Sequence, residues 1–332
     1  MMSAWRKPGP AFLAIVAAAV VGIAVGFSKW NSPPNAQGTR STAPDQGQAD
    51  VAVTSAGPLA GLSIAAAGDL SCEPGSKTEK QVCHQVGVSS RVLADPTIAL
   101  FLPLGDNQYQ KGALTSYQAA YAPSYGRLGA RTKPVPGNHE YNTENATGYF
   151  AYFATAAGDP AKGYYSYDIG TRWHAVALNS NCDSVACGAD SAQVQWLRSD
   201  LGASKRPCTI AYWHHPRFSS GTTHGGSADV AAFWSALYQG HADIVMNGHE
   251  HNYERFDPQS PTGSPDANGV REFVVGTGGA SLYPLGAAKA NSAARVANTF
   301  GFLKLTLGER MYQWRFVAED GKVLDRGTGS CH

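Results

Sequence analysis

Charge is scarce in this 332-residue sequence: Asp, Glu, Lys and Arg make up 15% of it, and the formal net charge is +1. Average domains carry about 25%. Without a block of one sign there is no electrostatic footprint for a nucleic acid or an acidic partner. Thiolate pairs at zinc-finger spacing are also missing, since no C-x-x-C occurs, and a structural zinc site made of cysteines is excluded with them. The glycine run Gly276-Thr277-Gly278-Gly279 follows a strand-like stretch but fits neither G-x-x-x-x-G-K-S/T nor G-x-G-x-x-G, and reads as a turn. No internal repeat is visible. Apolar residues, by contrast, are ample for a buried core, at 43% with 10% aromatics.

One long apolar run stands at the N-terminus. Arg6 and Lys7 precede an uncharged stretch from Ala11 to Phe27, the pattern of an export leader. Ala24-Val25-Gly26 offers small residues to a signal peptidase, and the run from Pro8 to Ser28 is also nearly long enough to span a bilayer. Residues 1–28 are therefore a signal peptide or an N-terminal membrane anchor. The protein is expected to be secreted or extracytoplasmic, with this segment as its one contact with a membrane. Residues 29–61, rich in Pro, Gly, Ser, Ala and Gln without periodicity, form a flexible linker, and residues 62–332 form one large domain.

All six cysteines lie in that domain, and an even number in an exported chain predicts disulfides. Fifteen connectivities exist in principle. The short spacings favour Cys72 with Cys83 and Cys182 with Cys187, leaving Cys208 for Cys331.

Short β-type runs alternate with helical stretches from Leu62 onward, an α/β pattern. Apolar runs end in polar clusters four times: Leu62–Ala67 before Asp69, Thr97–Leu104 before Asp106, Ile210–Trp213 before His214, and Asp243–Met246 before His249. Helical periodicity marks Thr78–Leu93, Thr115–Tyr121, Ser191–Leu201 and Ala228–Tyr238. Glu272–Val275, Phe300–Leu307 and Tyr312–Ala318 have no helices between them and are expected to be antiparallel strands. Ligands of α/β sheets bind at the carboxyl ends of strands, so the polar clusters are candidates to converge.

Five motifs hold ligand-type residues: Gly68-Asp69, Gly105-Asp106-Asn107-Gln108-Tyr109, Gly137-Asn138-His139-Glu140, Ala211-Tyr212-Trp213-His214 and Gly248-His249-Glu250-His251. Each alone is weak, but in this order they resemble the calcineurin-like metallophosphoesterases, and specifically the purple acid phosphatases. That family's pattern is G-D-x-G, G-D-x-x-Y, G-N-H-D/E, V-x-x-H and G-H-x-H. Two positions depart from it: Ser71 stands where the family has Gly, and Ala211 where it has Val. Neither is a ligand in the family, so the departures bear on local backbone shape. Of the adjacent pair His214 and His215, spacing from Ala211 and the following Pro216 selects His214.

The resemblance implies a β-sandwich of two mixed sheets flanked by helices, a phosphatase activity and a two-metal centre. Asp106 is its candidate bridging ligand, because two cations roughly 3.5 to 4 Å apart need an anion between them. By resemblance Asp69, Tyr109 and His251 complete one metal site, and Asn138, His214 and His249 complete the other. The first, with a carboxylate and a phenolate, suits Fe³⁺; the second, with imidazoles and an amide, suits Zn²⁺, Fe²⁺ or Mn²⁺. A phenolate bound to Fe³⁺ would colour the protein. His139 is implied to contact the phosphate or protonate the leaving group, with Glu140 as a candidate to orient it. His224, in a Gly/Ser/Thr loop, is implied to bind substrate. The expected reaction is hydrolysis of small phosphate monoesters by a metal-bound hydroxide. A phosphodiesterase or nucleotide-cleaving enzyme, and a surface protein holding metals for structure alone, are the alternatives.

Overall fold

The computed structural model describes residues 61–80 and 82–332. The leader and the linker up to residue 60 lie outside the described residues. No helix among those described is long and apolar enough to cross a membrane.

Two mixed sheets make the frame. The first contains β1 (Leu62–Ala67), β2 (Ile98–Pro103), β10 (Gly301–Leu307), β11 (Met311–Ala318) and β12 (Val323–Ser330), in the order β12-β11-β10-β1-β2. Its one parallel pair is β1 with β2. The second contains β3 (Tyr165–Ile169), β4 (Trp173–Ala177), β5 (Cys208–Tyr212), β6 (Ile244–Asn247), β7 (Tyr253–Phe256), β8 (Arg271–Val275) and β9 (Ser292–Val296), in the order β3-β4-β5-β6-β8-β7-β9. Strands β4, β5, β6 and β8 run parallel.

Side-chain alternation explains why the central strands are apolar on both faces. Along β4, β5 and β6, Ala175, Ala177, Ile210, Tyr212, Ile244 and Met246 join the core shared with Leu303, Leu305 and Phe316 of the first sheet. Their neighbours Val176, Ala211 and Val245 point the other way, against Val194 and Leu197 of α4 (Ala192–Ala203) and Phe233, Trp234 and Leu237 of α5 (Ala231–Gln239). A strand covered on both faces has no polar side to show, which is why such runs read as continuous hydrophobic stretches.

Helix α4 starts where its sequence says it should, with Ser191 Oγ accepting from Val194 N at 3.2 Å as an N-cap. The stretch Thr78–Leu93 is helical only as α1 (Gln85–Leu93), because Cys83, tied to Cys72, sits at φ 64°, outside helical space. Strand β8 corrects the all-antiparallel expectation for the C-terminal runs: it pairs antiparallel with β7 but parallel with β6. A parallel partner requires a crossover, and residues 248–270 supply one.

All three disulfides follow the spacing argument: Cys72–Cys83, Cys182–Cys187 and Cys208–Cys331.

Candidate metal centre

The parallel pairs β1/β2 and β5/β6 all end at one edge, and their C-terminal loops carry Asp69, Asp106, His214 and His249 there. Three of these residues are strained. Asp69, Asp106 and His249 adopt φ values of 60°, 46° and 71° without being glycine, a conformation that persists only where surroundings enforce it. Gly137 lets the third loop approach, since a Cβ there would lie 2.2 Å from Asp106 Oδ1.

The seven candidate ligands fall into two groups that share one carboxylate oxygen. In the first, Tyr109 Oη lies 2.8 Å from Asp69 Oδ1 and 3.0 Å from His251 Nε2. In the second, His214 Nε2 lies 3.2 Å from both Asn138 Oδ1 and His249 Nδ1. Asp106 Oδ2 belongs to both, 3.0 Å from Tyr109 Oη and 3.3 Å from His214 Nε2. Each imidazole on the outer side is fixed by its second nitrogen: His214 Nδ1 meets Leu104 O at 2.8 Å, and His251 Nδ1 meets Ser281 Oγ at 2.7 Å. Both therefore present Nε2 to the centre, the usual way a protein sets the tautomer of a metal-binding histidine.

His215 stands beside this ring of donors, with a ring nitrogen within 4.8 Å of those of His214 and His249. Its Nδ1 pairs with Ser180 Oγ at 2.8 Å, and its ring leans on His249 with centroids 4.3 Å apart. Ser71, the departure in the first motif, is fully buried and its carbonyl accepts from Tyr109 N at 2.8 Å, so it seats the tyrosine from the backbone.

Residues 62–253 match the family model for calcineurin-like phosphoesterases. The chain belongs to that family. Within it the chain is similar to purple acid phosphatases: it is 34% identical over 157 residues to purple acid phosphatase 15 of Arabidopsis thaliana, covering 44% of this chain and 29% of that protein. It is 31% identical over 187 residues to purple acid phosphatase 21 of the same plant, covering 49% and 42%. The chain thus spans less than half the length of these relatives. The purple acid phosphatase PPD1 from yellow lupin (Lupinus luteus) seeds shares the fold, with a TM-score of 0.69 at 20% identity over 82% of this chain and 54% of that one.

In this phosphoesterase-family chain the electrostatics call for cations. Asp69 and Asp106 are buried, and among the described residues no lysine or arginine lies within salt-bridge distance of either; their charged-type partners are histidines alone. Burial would raise Asp106, yet the His214 imidazole beside it holds its carboxyl well below the usual carboxylate range. His214 is pushed up to about 9 against the opposing effect of burial, mainly by the charge of Asp106. Burial and then His214 push His249 well below the ordinary histidine range. Tyr109 is driven far above an ordinary phenol by burial, then by Asp106 and Asp69. Among the described residues, imidazoles are the only groups within salt-bridge distance of these carboxylates that can carry a positive charge, and the mixed set of carboxylate, phenol, amide and imidazole donors fits two metal ions.

Two further histidines reach the centre. His139 N donates to Asp106 Oδ1 at 2.9 Å, its ring lies 4.3 Å from Tyr109, and Nε2 is 3.8 Å from Asp106 Oδ2. His224, exposed on the loop after β5, tilts over His249 with centroids 4.2 Å apart. Glu140 is neither a surface group nor the orienter of the His139 ring. It is fully buried and accepts from Asn107 N at 3.0 Å, Gln108 N at 3.2 Å, Gly137 N at 2.7 Å and Tyr117 Oη at 2.9 Å, welding two ligand loops together. The carbonyl that fixes His139 is Gln110 O, 2.7 Å from Nδ1.

Sequence reasoning missed Ser281 and Tyr283. Tyr283 stacks flat on His251, with centroids 3.9 Å and planes 7° apart. Neither lies in a ligand motif, and only the fold brings the β8–β9 connection over His251.

Proposed function

We propose that this chain is an exported phosphatase that hydrolyses small phosphate monoesters at a two-metal centre. The sharing of Asp106 Oδ2 between the two ligand groups is the observation that carries the reading. Asp69, Tyr109 and His251 would hold one ion and Asn138, His214 and His249 the other, with Asp106 between them. The anionic first group suits Fe³⁺, and the imidazole and amide group a divalent ion such as Zn²⁺, Fe²⁺ or Mn²⁺. Bound there, the two ions would acidify a water and draw charge from the phosphoryl oxygens.

The protein's own groups do the rest. Asp106 balances charge between the ligand groups without moving, because His139 N holds its other oxygen. His139 Nδ1 faces a carbonyl, which accepts only, so Nδ1 carries a hydrogen and Nε2 is left to face the centre; in the doubly protonated imidazolium form, Nε2 would give its proton to a departing alkoxide and the ring would return to the neutral Nδ1–H tautomer. His224 and His139 flank the centre and donate to the phosphate. Disulfides at all six cysteines support an oxidising compartment.

The test is hydrolysis of p-nitrophenyl phosphate and bis(p-nitrophenyl) phosphate by metal-loaded protein, by chelated protein and by Asp106→Asn. Faster monoester turnover, lost on chelation and in the variant, is expected. Turnover that survives chelation would refute the two-metal reading, and a preference for the diester would reassign the substrate.

A further inference from the structure

The loop that carries His224 contains no helix or strand, only an isolated bridge from Gly221 to Leu285, yet it is pinned from below by three carboxyl groups, each fully buried. Glu272 of β8 accepts from Arg217 N at 2.9 Å, Glu254 of β7 accepts from Ser220 N at 2.6 Å, and Glu250 accepts from His224 N at 2.6 Å. The same Oε1 of Glu250 also accepts from Gly225 N. The contact is close: a Cβ at Gly221 would lie 2.1 Å from Glu250 Cδ, so the loop rests on the carboxyl group and residue 221 has to be glycine. Across the loop, Thr222 N donates to Pro284 O at 3.4 Å, which holds the opposite side.

His224's own ring is exposed and touches the centre only by leaning on His249, 4.2 Å away, and on Tyr283, 5.8 Å away. No side-chain hydrogen bond fixes it among the described residues. Its placement therefore depends on its backbone, and its backbone N–H is held by Glu250. We propose that Glu250, the residue between ligand candidates His249 and His251, is a positioning residue that clamps His224 over the centre and so sets how tightly the phosphate is held. This rests on the assignment of His224 as a substrate contact. The physical reason for a glutamate is that one oxygen accepting two backbone N–H bonds replaces the water both would otherwise seek, and it does so from the turn that carries two ligands. The ligand turn and the substrate loop thus form one rigid unit.

Full-length metal-loaded protein carrying Glu250→Leu or Glu250→Gln tests this by two readouts. In the first, hydrogen exchange at the backbone amides of His224 and Gly225 should be slow in the wild type, fast in Glu250→Leu and slow again in Glu250→Gln, whose amide oxygen can accept the same bonds. In the second, Glu250→Leu should lower kcat/KM for p-nitrophenyl phosphate about 10- to 100-fold, the worth of a charge-assisted hydrogen bond, chiefly through KM. It should add less than about twofold in a His224→Ala background, because coupled residues do not add. Gly221→Ala, whose added methyl pushes the loop off the Glu250 carboxyl group while keeping every ligand side chain and the carboxyl itself, should reproduce both effects if Glu250→Leu fails to fold or to retain metal. Unchanged exchange protection in both Glu250→Leu and Gly221→Ala, or fully additive losses with His224→Ala, would overturn the clamp. A full kcat/KM in His224→Ala alone would instead remove His224 from the substrate site, and the positioning role with it, while leaving the phosphatase reading intact.

Discussion

Replacing Tyr109 by phenylalanine isolates one oxygen atom. The ring would still fill its place beside Cys72, Cys83 and Ala280, so packing is preserved. What is lost is a hydroxyl with neighbours at 2.8 Å on Asp69, 3.0 Å on Asp106 and 3.0 Å on His251. In the ion-free protein, the two buried carboxylates lose the single hydroxyl hydrogen they share, but each keeps an imidazole, His251 for Asp69 and His214 for Asp106. The stability loss should therefore sit in the lower part of the range for an unsatisfied buried group, about 1 to 2 kcal/mol. With ions present, the first site falls from three anionic donors, counting Asp106, to two. Groups that merely orient a ligand move metal affinity about 10- to 100-fold, so loss of a ligand should weaken ferric binding by about 100-fold or more, or about 2.8 kcal/mol. The assay is visible absorption with iron content on identically loaded and dialysed wild type and variant. A charge-transfer band that disappears along with the iron is expected. An unchanged band and unchanged iron content would show that Tyr109 Oη is not a ligand and would refute the assignment of the first site.

Three other outcomes follow from the geometry. His139→Ala should lower kcat by about 10²- to 10⁴-fold, the usual worth of a general acid, with metal content unchanged, as steady-state kinetics and metal analysis on one preparation would reveal. Removing the Cys208–Cys331 bond, which closes a separation of 123 residues, should cost about 5 kcal/mol in a chain-entropy account, read from urea midpoints of a double serine variant. The third concerns pH. His174 is buried between Asp200 at 2.8 Å and Asp168 at 3.1 Å, and although burial opposes it, these carboxylates hold its imidazole above the ordinary value. A raised histidine stabilises the fold fully below its unfolded value of about 6.5 and ceases to do so as pH rises through the folded value. His174→Gln should thus lower Tm more at about pH 5.5 than at about pH 9; an equal loss at both would sink the argument.

The sequence was most legible where one residue type serves one purpose. The run Leu62–Ala67 is β1 to the residue, because an apolar run ahead of Gly-Asp leaves little else to form. Motif order singled out seven candidate ligands, and the structure places all seven side by side. The edges were not legible. Strand β12, Val323–Ser330, is mostly exposed, contains two glycines and is held by its backbone ladder to β11, so it carries no apolar signature. Strand β7, Tyr-Glu-Arg-Phe, hides a fully buried Glu254 whose partners, Ser220 N and Ser292 Oγ, lie 34 and 38 residues away. The same holds for Glu140: a carboxyl group that serves distant backbone amides looks like any surface acid until the fold closes round it.

The pairing of β1 with β10 also orders events during biosynthesis. Ser63 Oγ meets Thr306 Oγ1 across 243 residues of chain, and Asp69 follows just after the strand that carries Ser63. When residue 69 emerges from the ribosome, the strand that will flank it on one side has yet to be made. His214 and His249 are synthesised before β10 as well, but their own strands, β5 and β6, already have each other. Strand β1 likewise has β2 beside it early, but its other flank stays open until β10 is made. The proposed centre would therefore be complete only once residues 301–307 have been made and have paired with β1.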